Sequence, residues 1–376
     1  METPFDNIKS SENQHFVGRR EELSRLSANF SFMTNTVLLS PQGWGKTSLA
    51  FKAAETVASR EADFRFCFVD LFNVRVEEDF YVSLLQNVIK SVSSNVEDAM
   101  SVLGGFFKEE RPSVELGDGG LSDMKLHFDR KAVRKHKDLM LDIPERLARE
   151  RNLKLVICLD DFHMVELFDD PDAFLHGLDT HWTSHEKVAY CICSSPNGMI
   201  EKFARKSIAF HVYGQVMDIG KIEEAELNRM LRDRFMDSGK YLDEEKASMM
   251  IELADGCPYY VHQIANLSWM RTSVVCSEDV IMEAHASLVD QSSLVFAMLT
   301  AGLTEQQVCY LRAVVAGETV ISSSEVLHRH NITSATSASR SKAALLHRGI
   351  VCNVGEKVVM ADPIYAYWLK HKYFMI

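Results

Sequence analysis

The strongest constraint on this chain is a ten-residue stretch, Ser40–Leu49 (SPQGWGKTSL), set between an apolar strand pattern, NTVLLS, and a helical pattern, LAFKAAETVAS. A buried strand that turns on glycine into a helix gathers unpaired backbone N–H groups at the positive end of the helix dipole, which suits phosphate. In the pattern G-x-x-x-x-G-K-[ST], Ser40 takes the first glycine position and Gly45-Lys46-Thr47 completes it. Ser40, Pro41, Gln42, Gly43, Trp44, Gly45, Lys46, Thr47 and Ser48 are therefore the expected phosphate cradle. Lys46 would reach the β- and γ-phosphates of ATP, and the Thr47 hydroxyl would ligate Mg²⁺. Loss of the first glycine is tolerable where that residue only begins the turn, because Gly43 and Gly45 keep the freedom the bend needs.

A second signal lies downstream. LKLVICLDDF is the most apolar strand pattern in the chain, and Asp160 and Asp161 emerge at its end. Asp160 is expected to hold Mg²⁺, and Asp161 to polarise the attacking water. A helix N-cap or a solvated loop acid is the alternative for Asp161. VAYCICSS is another buried strand, and Ser194 and Ser195 at its end are candidates for sensing the γ-phosphate. Ser195 is counted with Lys46 and Asp161 as a catalytic candidate, with helix capping as the alternative.

Strands alternating with helices imply a parallel sheet covered on both faces. Residues 1–220 are thus expected to form an α/β P-loop NTPase core. Leu23, Leu26 and Phe30 mark its first helix, and a helix from Glu78 to about Val96 follows FRFCFVDLF. A β-hairpin insertion near 112–129 turns at Gly117-Asp118-Gly119-Gly120. A charged helix spans about Lys131–Arg151, and HVYGQVMDIG reads as a fifth extended segment. Residues 221–299 show only helical periodicity and should form an all-α lid domain. From 300 to 376, three helical patterns precede a hairpin turning at Val354-Gly355-Glu356, the order of a winged-helix domain.

Composition closes other routes. With 46% hydrophobic and 25% charged residues the chain is ordinary globular material. No apolar run approaches the roughly 20 residues of a bilayer span, and the N-terminus shows no secretory pattern. A cytoplasmic protein without a membrane partner is the expectation. Net charge is −12, yet residues 300–376 carry eight Lys and Arg against five Asp and Glu, a local +3. Arg340, Lys342 and Arg348 on the third helix could meet DNA. The eight cysteines are scattered, and only Cys191 and Cys193 are close, on one face of a strand. With no second pair near in sequence, buried free thiols are expected.

Taken together, FVGRREEL, SPQGWGKTSL, LDDFHMV, VAYCICSSPNGMI, YGQVMDIGKI, DGCPYYVHQIANLSW and the terminal LTEQQ…ADPIYAYWLKHKYF resemble the archaeal-type ATPases of the AAA+/STAND branch. The likeness is closer still to a bacterial group of ATP-binding proteins. It implies that Phe16 and Val17, with Gly18 and Arg19, lie beside the adenine. It also implies that Gly256-Cys257-Pro258 packs on the nucleotide. A hydrophobic staple at Phe16 and a helix start at Pro258 are equally open. Relatives carry two arginines at the positions of Gln42 and Gly43, an Asp-Glu pair at Asp160-Asp161, Gly-Ser at Ser194-Ser195, and an arginine at Val212. Those departures imply weakened hydrolysis with binding retained, since Lys46, Thr47 and Asp160 remain. Arg205, Lys206, Arg232 and Arg234 are candidates for an arginine finger.

The expected activity is a slow, ATP-hydrolysing molecular switch that acts on a partner protein or on further copies of itself. The alternatives are a winged-helix DNA-binding regulator and a scaffold subunit that uses nucleotide structurally.

Overall fold

A computed structural model describes residues 4–5, 16–108, 110–195, 198–354 and 357–376. The chain divides into two compact units, one of residues 20–39 and 46–219, the other of residues 1–19, 40–45 and 220–376.

The first unit is built around helix α1 (Arg20–Ser31), strand β1 (Asn35–Leu39), helix α2 (Lys46–Ala58) and strand β2 (Phe64–Asp70). α2 buries Leu49, Ala50, Ala53, Ala54 and Val57, a stripe at helical spacing that fixes which side meets the sheet. Helix α3 (Glu77–Val92) opens with Glu77, Glu78 and Asp79, acids favoured at the positive end of the dipole. The helix expected to reach Val96 stops at Val92. A new helix, α4 (Val96–Phe106), starts because the Asn95 side chain accepts from the Asp98 backbone N–H.

Strands β3 (Ser113–Gly117) and β4 (Gly120–His127) form an antiparallel hairpin in which Gly117 pairs with Gly120 around Asp118-Gly119. Helix α5 (Arg130–Glu150), capped by Asp129, leads into strand β5 (Lys154–Asp160). A 3-10 turn at Phe162–Leu167, helix α6 (Pro171–Trp182), strand β6 (Val188–Ser194) and helix α7 (Gly198–Lys206) follow. Strand β7 (Gly214–Asp218) is shorter than the extended segment expected there. His211 and Val212 lie in a π-helical turn, Ile208–Val212, whose N–H groups at Ile208 and Ala209 donate to the Asp179 carboxylate.

Among the described residues, β1, β2, β5, β6 and β7 form a parallel sheet in the order β2-β5-β6-β1-β7. Register places Asp70 opposite Asp160, and Leu39 opposite Ser194. The carboxyl ends of β1, β2, β5 and β6 thus share one edge, where open α/β sheets bind ligands. One face carries Val37, Val69, Leu155, Ile157 and Tyr190 into a core with α3 and α5. The alternate residues, Leu38, Val156, Cys158, Cys191 and Cys193, are buried on the other face.

The second unit holds helices α8 (Glu224–Asp237), α9 (Glu244–Leu253), α10 (Pro258–Arg271) and α11 (Glu278–Ala301). Helices α12 (Glu305–Val315), α13 (Ser324–Arg329) and α14 (Ala335–His347) come next. Strands β8 (Val351–Val354) and β9 (Lys357–Met360) pair antiparallel before helix α15 (Pro363–Trp368). The expected hairpin turn at Gly355 and Glu356 lies outside the described residues. Helical region and winged helix share one core: Phe296 stacks on Tyr365 at 4.9 Å, and the Thr300 and Tyr365 hydroxyls stand 2.8 Å apart.

Candidate functional site

Lys46, Thr47, Asp160, Asp161, Ser194 and Ser195 all belong to the first unit. Lys46 and Thr47 form the first turn of α2, where backbone N–H groups point along the axis. The Thr47 hydroxyl donates to Asp160 Oδ2 at 2.6 Å, joining the helix start to the end of β5. Asp160 Oδ1 accepts from the Asp161 backbone N–H at 3.0 Å. Burial pushes the Asp160 carboxyl up to about 7, while the Thr47 hydrogen bond pulls the other way.

Asp161 has a left-handed backbone (φ 51, ψ 38) at the start of the 3-10 turn, and its side chain makes no capping hydrogen bond. Aspartate is among the few side chains that accept this conformation readily. Burial raises the Asp161 carboxyl, against the charges of His163 and Lys46. Ser194 is fully buried and donates to the Ser195 carbonyl at 3.0 Å, while Ser195 itself is half-buried.

Two residues were given no role by the sequence reading. Asp70, directly across from Asp160 at the end of β2, adds a third carboxylate whose charge raises the Asp161 carboxyl. His163 Nδ1 lies 4.0 Å from Asp161 Oδ1, and burial holds its imidazole below the ordinary range. A histidine two residues beyond the acid pair in LDDFHMV was the available signal.

The loop Ser40–Gly45 is described with the second unit. Gly43 (φ 80) and Gly45 (φ 86) adopt the left-handed region, whereas Ser40 does not, which is why serine can begin this turn. The Gly43 carbonyl accepts from the Tyr259 N–H at 3.2 Å, in the first turn of α10. A Cβ on residue 43 would sit 3.1 Å from Tyr259 Cβ and 3.3 Å from Cys257 Sγ. A side chain there would press on α10 from a left-handed backbone that favours glycine. Pro258 is the first residue of α10, and Cys257 Sγ lies 3.7 Å from the Gly43 carbonyl.

Arg19 donates to the carbonyls of Trp44 at 2.7 Å and Gly220 at 2.9 Å, so it braces the loop backbone. Phe16 is half-buried, and Val17 packs on the second unit's core. Among the arginine-finger candidates, Arg234 is buried beneath Phe5, 5.4 Å from its ring, and cannot reach outward.

On the winged helix, Arg340 is exposed and Lys342 half-exposed, but Arg348 donates to the Gly302 carbonyl at 2.9 Å. A cleft lined by Leu175, His176, Asp179, Lys202 and Phe203 contains none of the strand-end residues.

These features can be set beside known proteins. Residues 294–371 match a family described as a probable winged helix domain. Among curated proteins, none matches this chain. Solved structures do. The Walker-type ATPase of Pyrococcus abyssi is 15% identical, with a TM-score of 0.69 over 98% of this chain and 99% of that one. The ORC2 protein of Aeropyrum pernix, solved as ADPNP-ADP complexes, is 14% identical, with a TM-score of 0.58 over 96% of this chain and 93% of that one. The ORC1 protein of the same organism, in complex with DNA, is 14% identical, with a TM-score of 0.51 over 94% and 92%.

At such identities the likeness is one of fold. The chain has the fold of a P-loop AAA+ ATPase: a parallel five-stranded sheet among helices, a helical region and a C-terminal winged helix.

Proposed function

We propose that the protein is an ATP-binding P-loop ATPase of the AAA+/STAND type, a slow nucleotide-dependent switch. The observation that carries this reading is the 2.6 Å hydrogen bond from Thr47 to Asp160, made where a helix begins with a lysine. A hydroxyl and a buried carboxylate held together supply hard oxygen donors, and a carboxyl raised by burial gains from a neighbouring cation. Thr47 and Asp160 would hold Mg²⁺, which when bound neutralises charge on the phosphates. Lys46 would bind the β- and γ-phosphates, and the first-turn N–H groups of α2 would orient them. Asp161 would accept a proton from the attacking water, and Ser195 would contact the γ-phosphate.

The working parts are a core over 1–220, a helical lid over 221–299 and a winged helix over 300–376. Phe16, Val17 and Pro258 are assigned to nucleotide contact by family likeness. The switch acts on a partner protein or on further copies of this chain, in the cytoplasm, where eight free cysteines stay reduced.

The test is thermal stability with and without Mg-ATP. Ligand at 100 times its dissociation constant adds about 2.7 kcal/mol. Lys46→Ala should abolish most of the shift, and an undiminished shift would place the nucleotide elsewhere.

A second reading is favoured by the exposed Arg340 and half-exposed Lys342 on α14, within the residues that match a winged helix domain, and by the fold likeness to an ORC1 protein solved in complex with DNA. In that reading the chain is a DNA-binding regulator. Sequence-selective DNA retention that survives Lys46→Ala would favour it over the switch.

A further inference from the structure

The sheet face opposite the α3–α5 core carries three cysteines at one point. Cys158 on β5 is the register partner of Cys191 on β6, and Cys193 follows two residues on, so all three side chains leave the same face. None has any exposed surface. Their sulfur atoms all lie within 4.8 Å of one another, and Cys158 Sγ is 3.7 Å from Cys193 Sγ. Thiolates bound to one metal at about 2.3 Å stand about 3.8 Å apart in a tetrahedron and about 4.0 Å apart in a trigonal plane. The Cys158–Cys193 pair already has ligand spacing, and the remaining separations lie within about 1 Å of it.

Packing alone does not call for this arrangement. The five other cysteines lie scattered without such a neighbourhood. Sequence reading dismissed the pair Cys191 and Cys193 because no second pair stood near in sequence. Parallel pairing of β5 with β6 supplies the third sulfur from 33 residues away.

We propose that Cys158, Cys191 and Cys193 form a buried three-thiolate site for a soft, monovalent d¹⁰ metal ion with the chemistry of Cu(I). The donor set selects the ion class. Thiolates favour Cu(I), zinc and iron–sulfur centres, and structural zinc takes four protein ligands. Among the described residues, no fourth histidine, cysteine or carboxylate joins the trio, which leaves three-coordinate geometry. Loading is balanced as three thiols and one M⁺ giving a metal tris-thiolate and three protons, with no change of oxidation state. Cys158 precedes Asp160 by two residues on the same strand face, so the site lies directly behind the Thr47–Asp160 hydrogen bond. The assignment does not depend on nucleotide binding.

The experiment uses the full chain, refolded anaerobically with Cu(I) held by a chromogenic chelator. One equivalent should transfer to the protein, seen as ultraviolet thiolate-to-metal absorption and as a native mass gaining one copper and losing three protons. Cys158→Ala or Cys193→Ala should weaken that binding at least about a hundredfold, while Cys309→Ala and Cys352→Ala leave it unchanged. X-ray absorption of the wild-type complex decides the case without any variant. A three-coordinate, sulfur-only shell supports the site. A shell containing nitrogen or oxygen, a two-sulfur shell, or retention of all copper by the chelator overturns it.

Discussion

Asp161 holds a backbone conformation that costs most side chains about 1–2 kcal/mol. Its side chain makes no capping hydrogen bond and lies half-buried beside Asp160 and His163. This bears on the choice between aspartate and glutamate at this position. Glutamate reaches about 1.5 Å farther, toward an attacking water, but tolerates the left-handed backbone less well. Asp161→Glu is expected to raise turnover, leave nucleotide affinity nearly unchanged, and cost about 1 kcal/mol of stability. Asp161→Ala should lower turnover. Steady-state hydrolysis together with thermal melts checks both, and an alanine variant as fast as the parent would remove Asp161 from the reaction.

At the scale of elements, the break between α3 and α4 shows how one side chain redirects a chain. Asn95 caps α4, and Asp98 in its first turn receives two hydrogen bonds from Arg151, at 2.6 and 2.8 Å. Arg151 caps the far end of α5, so the pair ties two helices that are distant in sequence. The hydrogen bonds from Arg151, then the Ser94 backbone N–H, hold the Asp98 carboxyl well below the ordinary carboxylate range. A carboxyl lowered on folding stabilises above its unfolded pKa, near 3.9, and that contribution fades as pH falls toward the folded value. Asp98→Asn should therefore cost about 1 kcal/mol at pH 7, a figure kept small because both partners are half-exposed. The difference from the parent should shrink steadily in urea melts below pH 4. A constant difference down to pH 2 would show that the carboxylate charge is not the source.

On the scale of the whole molecule, the fold carries a charge asymmetry, +3 over residues 300–376 against −15 elsewhere. Arg234 is sequestered under Phe5, so it cannot neutralise charge on a transferring phosphoryl group. Arg205, Lys206 and Arg232 remain candidates within the chain, and a neighbouring copy is a further source of such a cation. Light scattering should therefore give a larger mass with a non-hydrolysable ATP analogue than in the apo or ADP state. One unchanged mass in all three conditions would sink the idea.

The sequence by itself determined whatever depends on neighbours along the chain. Buried strand patterns at VLLS and LVICLD, the glycine turn before Lys46, and the three helices before a hairpin are local signals, so fold class and the Lys46, Thr47 and Asp160 candidates were legible there. What only the tertiary structure decided is register. Pairing of β2 with β5 sets Asp70 against Asp160, and pairing of β5 with β6 completes the cysteine trio. Packing of α10 against Gly43 leaves little room for a side chain at that position. Each of these joins residues separated by 33 to more than 200 positions. A linear pattern encodes which face a residue takes, but the partner across that face is fixed by how strands align and helices pack.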